Sequence, residues 1–150
     1  MEIKATEEKI KVQATLDDID IILDKIEALM EPTGASPRTI KAVQLSIEEI
    51  FVNICSYAYT DDYMGERDCE INWRLEETDQ TAKLSVCLKD HGVPFDPFAM
   101  EDPDISLKIA DRGIGGMGVF MVKQCMDRYT YEYKDEQNIV LIEKEWQIDI

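Results

Sequence analysis

The sequence predicts an α+β fold, a two-layer α/β sandwich with helices on one face of a mixed, mostly antiparallel sheet. Three observations lead there. The elements run β-α-α-β-β-loop-α-β-β, the strand segments alternate apolar and polar residues, and the longer helical segments each carry one apolar stripe. At 150 residues, 45% of them apolar, the chain is expected to form one domain over 1–150 with its own core.

Residues 9–14 open the pattern as a strand, with Ile10, Val12 and Ala14 at period two. Thr15, with Asp18 three residues on, has the form of a capping box. It opens a helix in which Leu16, Ile19, Ile22, Leu23, Ile26, Leu29 and Met30 make one stripe, stopped by Pro32 and Gly34. Ser36 followed by Pro37 is an N-cap with proline at the first helical position. The helix it starts is expected to reach about residue 59, burying Ile40, Val43, Ile47, Ile50, Phe51, Ile54 and Ala58.

Residues 61–65 form a turn. Strands follow at 69–76 and 82–89, hairpin-linked through 77–80, the second alternating Ala82, Leu84, Val86 and Leu88. Residues 90–114 hold three prolines, scattered acids and one short helical stretch at 105–110. A loop of that length in a compact domain is usually functional, often a lid. A helix restarts at Gly115 and runs to 126, and strands at 128–133 and 138–145 close a final hairpin.

The net charge is −16, from 32 acidic against 16 basic residues. Such a surface repels nucleic-acid phosphates, so direct DNA or RNA binding is not expected, and solubility is a sufficient reason for the acidity. Any nucleotide site must build its own positive potential. No apolar run approaches the ~20 residues that cross a bilayer, and residues 1–11 lack a signal-peptide core. No membrane association and a cytoplasmic location are expected. Cys55, Cys69, Cys87 and Cys125 show no C-x-x-C spacing, and Cys55, Cys87 and Cys125 sit within apolar patterns. Buried free thiols in a reducing compartment are expected rather than zinc, and the lone His91 makes no metal cluster.

Three segments carry chemistry. On the long helix, Glu49 and Asn53 lie four residues apart and so project from one side, with Ser46 and Tyr57 extending a polar seam. A carboxamide oxygen is a hard ligand for magnesium. The carboxylate can take a proton from an attacking hydroxyl. Glu48 lies roughly 100° around the helix and lacks an asparagine at this spacing. The pair is also commonplace on solvated helices. Next, Asp90-His91-Gly92 ends an apolar strand. An aspartate there can accept from an exocyclic amine such as that of adenine, and glycine lets main chain approach a flat ring. Asp and Gly equally make a plain turn. Third, Arg112-Gly113-Ile114-Gly115-Gly116-Met117-Gly118 precedes an apolar helix. Exposed N–H groups at a helix start suit a polyphosphate, with Arg112 and Lys108 adding charge. A flexible hinge is the plain alternative. The segment is neither a P-loop nor a dinucleotide fingerprint.

Taken in order, Glu49-x-x-x-Asn53, Asp90-x-Gly92 and Gly113-x-Gly115-Gly116-x-Gly118 resemble the N, G1 and G2 boxes of the GHKL superfamily, whose ATP site lies in a Bergerat fold. The likeness runs over about residues 8 to 146. It is nearest to the small bacterial anti-sigma-factor serine/threonine kinases, which share the stretch from Glu49 to Tyr59 and the Asp90-x-Gly92-x-x-Phe95-Asp96-Pro97 form. The resemblance implies that ATP and Mg2+ are bound. Asn53 would hold the metal, and Asp90 would read adenine with Gly92 beneath the ring. Arg112, Gly113, Gly115, Gly116, Met117 and Gly118 would serve the phosphates, and 97–114 would be the ATP lid. Glu49 would be the catalytic base.

The resemblance further implies a kinase acting on an anti-sigma-factor antagonist, a STAS-domain protein, and binding a sigma factor by partner switching. It also points to a homodimer. The alternative is a non-catalytic, ATP-gated module that sequesters a regulator. A histidine-kinase or chaperone head is not expected, because no dimerisation helix pair with a phospho-acceptor histidine is evident. Two positions depart from the family pattern. Tyr57 stands where relatives often carry His or Lys, and Gln137-Asn138-Ile139 stands where Gly-Thr-Thr is common, so no threonine is evident to support Asp90.

Overall fold

The computed structural model describes residues 2–99 and 116–148, with the main chain alone considered at 116–119. Five strands form one sheet: β1 (Lys4–Gln13), β2 (Asp68–Glu77), β3 (Thr81–Asp90), β4 (Arg128–Lys134) and β5 (Gln137–Gln147). Their spatial order is β1-β2-β3-β5-β4. All four pairings are antiparallel, so among the described residues the sheet is antiparallel throughout rather than mixed. Among the described residues three α-helices accompany it, α1 (Ile19–Met30), α2 (Pro37–Asn53) and α3 (Gly116–Cys125), with α2 packed against both others.

The core lies between the layers. Period-two alternation sends Ile71, Trp73 and Leu75 of β2, Leu84, Val86 and Leu88 of β3, and Val140 and Ile142 of β5 toward the helices. They meet Ile22 and Ile26 of α1 and Val43, Ile47, Ile50 and Phe51 of α2. Burying each such side chain contributes about 1.5–3 kcal/mol. The alternate strand positions stay partly or fully exposed, so the helices cover one face.

Several boundaries differ from the pattern reading, each for a physical reason. β1 begins at Lys4, well before the apolar alternation, because β2 offers ladder partners from Glu77 down to Asp68. Charged residues line this overhang, where Glu7 pairs with Arg74 and Glu8 with Lys25 at 3.2 Å. Thr15 makes no side-chain cap. Instead Asp18 Oδ2 accepts from the Gln13 N–H at 3.2 Å. A 3-10 turn, Leu16–Asp18, delays α1 until Ile19 and leaves Leu16 57% exposed, outside the expected stripe. Ser36 does cap α2, accepting from the Thr39 N–H at 3.1 Å, with Pro37 at its first position.

The long helix does not run unbroken to residue 59. It is α-helical to Asn53 and then widens into a π turn, Ile54–Ala58. The final hairpin turns on Asp135 (φ 55°) and Glu136 (φ 62°), two consecutive left-handed residues, as the twist of a two-residue hairpin demands. All four cysteines are free. Cys69 is the fully buried one, since it faces inward on β2, while Cys55, Cys87 and Cys125 are only partly covered. No described helix is long and apolar enough to cross a membrane.

Candidate nucleotide site

The last α-helical turn of α2 and the end of β3 converge on one small cavity. Ile50, Asn53, Ile54 and Ala58 form its helical wall, Asp90, Asn138 and Val140 its sheet wall, and Phe95 and Pro97 close the side. Its free volume is about 20 Å³, room for a single water and not for a purine. Asn53 and Asp90, far apart in sequence, are thus brought together, as the pattern reading required.

Asp90 is 3% exposed. Its Oδ1 accepts from the Gly92 N–H at 2.8 Å and from Asn138 Nδ2 at 2.9 Å. Burial pushes its carboxyl above the usual carboxylate range, and these two hydrogen bonds, with the nearby His91, pull it part of the way back. The turn beyond it is tied to α2, because the Val93 N–H donates to the Ala58 carbonyl at 2.8 Å. Gly92 has no room for a side chain there. A Cβ would stand 2.1 Å from the Ala58 oxygen. Its glycine character is therefore required by the helix end, whatever else it faces. Tyr59 braces the same corner, donating to the Asp68 carbonyl and accepting from the His91 N–H at 3.1 Å.

Asn53 is 4% exposed, and its Nδ2 is buried with no hydrogen-bond partner. A buried polar atom left unpaired costs about 1–3 kcal/mol, and this one lines the cavity, whereas Asn72 Oδ1 and Trp73 Nε1, also buried without a partner, do not. Rotating the amide by 180° would turn its carbonyl oxygen to that side. Among the described residues no group of three or more His, Cys, Asp or Glu could cage an ion. Magnesium is commonly held by one or two protein oxygens with substrate phosphates and water, and the Asn53 carboxamide is a donor of that kind. The donor set fits.

Glu49 lies one turn before Asn53, half-buried and outside the cavity lining. Burial raises its carboxyl above the ordinary value, and the neighbouring Glu48 charge adds to the shift. The expected polar seam does not extend further. Ser46 is fully buried and its hydroxyl donates to the Ala42 carbonyl at 2.8 Å, so it belongs to the packed side of α2. Tyr57 falls within the π turn, where the wider i→i+5 spacing takes it out of the i,i+4 row. Its ring lies 5.8 Å from that of Phe95, at 34°.

At the phosphate end, Gly116, Met117 and Gly118 are the first residues of α3, where main-chain N–H groups lack helical acceptors. Lys108, Arg112, Gly113 and Gly115, the expected helix at 105–110, and positions 100–114 of the expected lid lie outside the described residues. Its first part, Pro97–Ala99, is a 3-10 turn, with Phe98 stacked on Tyr129 at 4.9 Å.

Two further residues belong to the site: Asn138, at the place where no threonine was evident to support Asp90, and Tyr131, which the motif reading did not single out. Asn138 stands directly opposite Asp90 in the β3–β5 ladder, and Tyr131 bonds to it from β4. The legible signal was a polar residue at an inward position of β5, in line with Val140 and Ile142. A family model described as a histidine kinase-like ATPase domain matches residues 12–144. No curated protein matches the chain.

Proposed function

The chain belongs to the histidine kinase-like ATPase family, and on that footing we propose that it binds ATP with magnesium and acts as an anti-sigma-factor-type serine/threonine protein kinase. Its substrate would be a STAS-domain anti-sigma-factor antagonist, and it would regulate a sigma factor by partner switching. The observation that carries the nucleotide reading is the pairing, in one cavity, of a buried, oriented carboxylate with a carboxamide whose Nδ2 has no partner.

In this reading Asp90 accepts a hydrogen bond from the adenine amine, and Asn53 holds the metal through its amide oxygen. Gly116, Met117 and Gly118 offer main-chain N–H groups to the phosphates, joined by Gly115 before them and by Arg112 and Gly113 from the lid. Bound magnesium supplies charge neutralisation on the phosphates. Glu49 takes the proton of a substrate serine or threonine hydroxyl as its oxygen bonds the γ-phosphorus and the bond to ADP breaks. Burial above the usual carboxylate range favours that role, since a more basic carboxylate is a better proton acceptor. The side wall of Phe95 and Pro97 must move for a purine to enter a cavity of about 20 Å³.

A second reading rests on one observation: Glu49 does not line the cavity that Asn53 and Asp90 share. It makes the chain a non-catalytic, ATP-gated module that sequesters a regulator. Calorimetry with Mg-ATP tests the shared premise, with binding expected for the parent and lost in Asp90→Asn. Transfer of labelled γ-phosphate to a STAS-domain antagonist then separates the two readings. Transfer that Glu49→Ala abolishes supports the kinase. Intact ATP binding without transfer to the cognate antagonist rejects it.

A further inference from the structure

Asn138 occupies the ladder position directly across from Asp90, and both side chains lie on the inner face, each 3% exposed. All of its hydrogen-bonding capacity is used. Nδ2 donates to Asp90 Oδ1 at 2.9 Å and to the Val93 carbonyl at 2.8 Å. Oδ1 accepts from the Phe95 N–H at 3.0 Å and from the Tyr131 hydroxyl. Tyr131 also accepts from the Phe95 N–H, at 3.1 Å. One carboxamide therefore ties three things together: the strand-end carboxylate, the turn from Gly92 to Phe95, and the β4 tyrosine.

The division of labour on Asp90 is the informative part. Oδ1 is held by two donors, Gly92 N–H and Asn138 Nδ2, and no described residue bonds Oδ2. An asparagine with its four valences satisfied has nothing left for a ligand. Its effect must pass through the carboxylate it grips. A carboxylate gripped on one oxygen presents the other as a fixed acceptor, matched to an amino group at the purine 6-position and mismatched to an oxo group. Donors to the charged form also keep a buried carboxylate ionised.

Resting on the ATP-binding reading above, we propose that Asn138 is the positioning residue for purine recognition: with Tyr131 it holds Asp90 as an oriented, ionised acceptor and so sets the preference for a 6-amino over a 6-oxo purine nucleotide. The role is specific to this arrangement of β4 and β5, since the asparagine needs Tyr131 and Phe95 to fix which end of its amide faces Asp90.

The near-isosteric Asn138→Asp isolates the claim. It keeps the shape and the acceptor for Phe95 and Tyr131 but sets a second carboxylate against Asp90. The two groups then share one proton as pH falls, and a protonated Asp at 138 donates to Asp90 in place of the lost amide. Other titratable groups acting on this pair among the described residues are His91, Tyr59, Cys69, Tyr131 and Asp96, with Tyr133 opposite 138 in the β4–β5 ladder. They are common to parent and variant, so the parent's own pH curve is the control.

The measurement is calorimetric titration of parent, Asn138→Asp and Tyr131→Phe with Mg-ATP and with Mg-ITP at about pH 8 and about pH 5.5, straddling the range over which coupled carboxylates take up a proton. For Asn138→Asp we expect ATP affinity to fall at least ~10-fold at the higher pH, the loss of one buried charge-assisted hydrogen bond, and to recover relative to the parent at the lower. Its ATP-to-ITP preference should collapse at the higher pH. Tyr131→Phe should narrow that preference about 3-fold without the pH dependence, as loss of a neutral hydrogen bond does. Unchanged ATP affinity in Asn138→Asp overturns the proposal, as does an equal loss of ATP and ITP at both pH values, which marks a structural role. Should Asn138→Asp fail to fold by circular dichroism, an unchanged ATP-to-ITP ratio in Tyr131→Phe overturns it. A parent that binds neither nucleotide removes the ATP reading and this one together, whereas a parent that binds ATP selectively isolates the failure to Asn138.

Discussion

Ser46 and Ala42 are joined by a hydrogen bond of 2.8 Å from the serine hydroxyl to the helical carbonyl one turn back. The bond turns a polar side chain into part of the packed face, while Asn53, two turns on, keeps an unpartnered amide end. The two residues should therefore respond in opposite ways to truncation. Ser46→Ala is expected to change unfolding free energy by about 1 kcal/mol and leave Mg-ATP affinity alone. Asn53→Ala should also stay within about 1 kcal/mol of the parent, because it removes an unsatisfied group as well as packing, yet lose at least ~10-fold in Mg-ATP affinity. Urea titrations paired with calorimetry check both.

Gly92→Ala is expected to be costly. Its Cβ would meet main-chain atoms of Ala58, at 2.1 Å from the oxygen and 2.4 Å from the carbon, and main chain cannot swing aside as a flexible side chain can. Overpacking of this kind costs about 1–3 kcal/mol or more. The Val93–Ala58 bond should break with it, so a lowered urea midpoint should accompany weakened nucleotide binding.

Glu49 carries a pH signature. Its carboxyl is raised by burial first and by the Glu48 charge second. The base proposed for Glu49 acts only when ionised, so under the kinase reading phosphotransfer should fail on acidification at a higher pH than an ordinary glutamate would cause. The folded state binds this proton more tightly than the unfolded chain. Its contribution to stability is therefore present below the unfolded value of 4.5 and is lost as pH rises through the folded one. Glu49→Gln, which cannot ionise, should raise the melting midpoint at about pH 7.5 and lose that advantage near about pH 4. It should also cut phosphotransfer by at least ~100-fold. Melts at both pH values, beside a transfer assay, check the pair of claims.

The fold was legible because its signals are local. Alternation on β3 and the 3.6-residue stripe on α2 each follow from burying one side of an element. Asn53 and Asp90 were legible as motif members, and the structure brings them to one cavity. What escaped was relational. Nothing local in residues 54–58 announces a wider helical turn, and the family pattern marked 137–139 as a departure beside Asp90 without showing that Asn138 takes the missing threonine's place. The final hairpin was expected and is present, but its turn carries neither glycine nor asparagine, so the left-handed pair Asp135 and Glu136 was not legible. The early half of β1 was missed because its ladder comes from β2 and its side chains are charged.

Trp146 offers a test remote from the site. Its Nε1 donates to Thr33 Oγ1 at 3.0 Å, in a corner where Thr33 itself donates to the Met30 carbonyl at 2.6 Å. Trp146→Phe should lower stability by about 1–3 kcal/mol, combining a lost hydrogen bond with lost packing. ATP affinity should not move. A urea titration and a calorimetric titration on the same variant decide it.

The sheet order β1-β2-β3-β5-β4 carries a consequence for how the molecule is made. The last of these five strands in chain order, β5, takes an interior berth between β3 and β4, so β3 waits with a naked rim while about fifty intervening residues are translated. Asp90 sits on that rim and meets its asparagine only when β5 zips in. A chain stalled or clipped before residue 137 should thus be sticky, and blind to nucleotide, however well its helices have already formed.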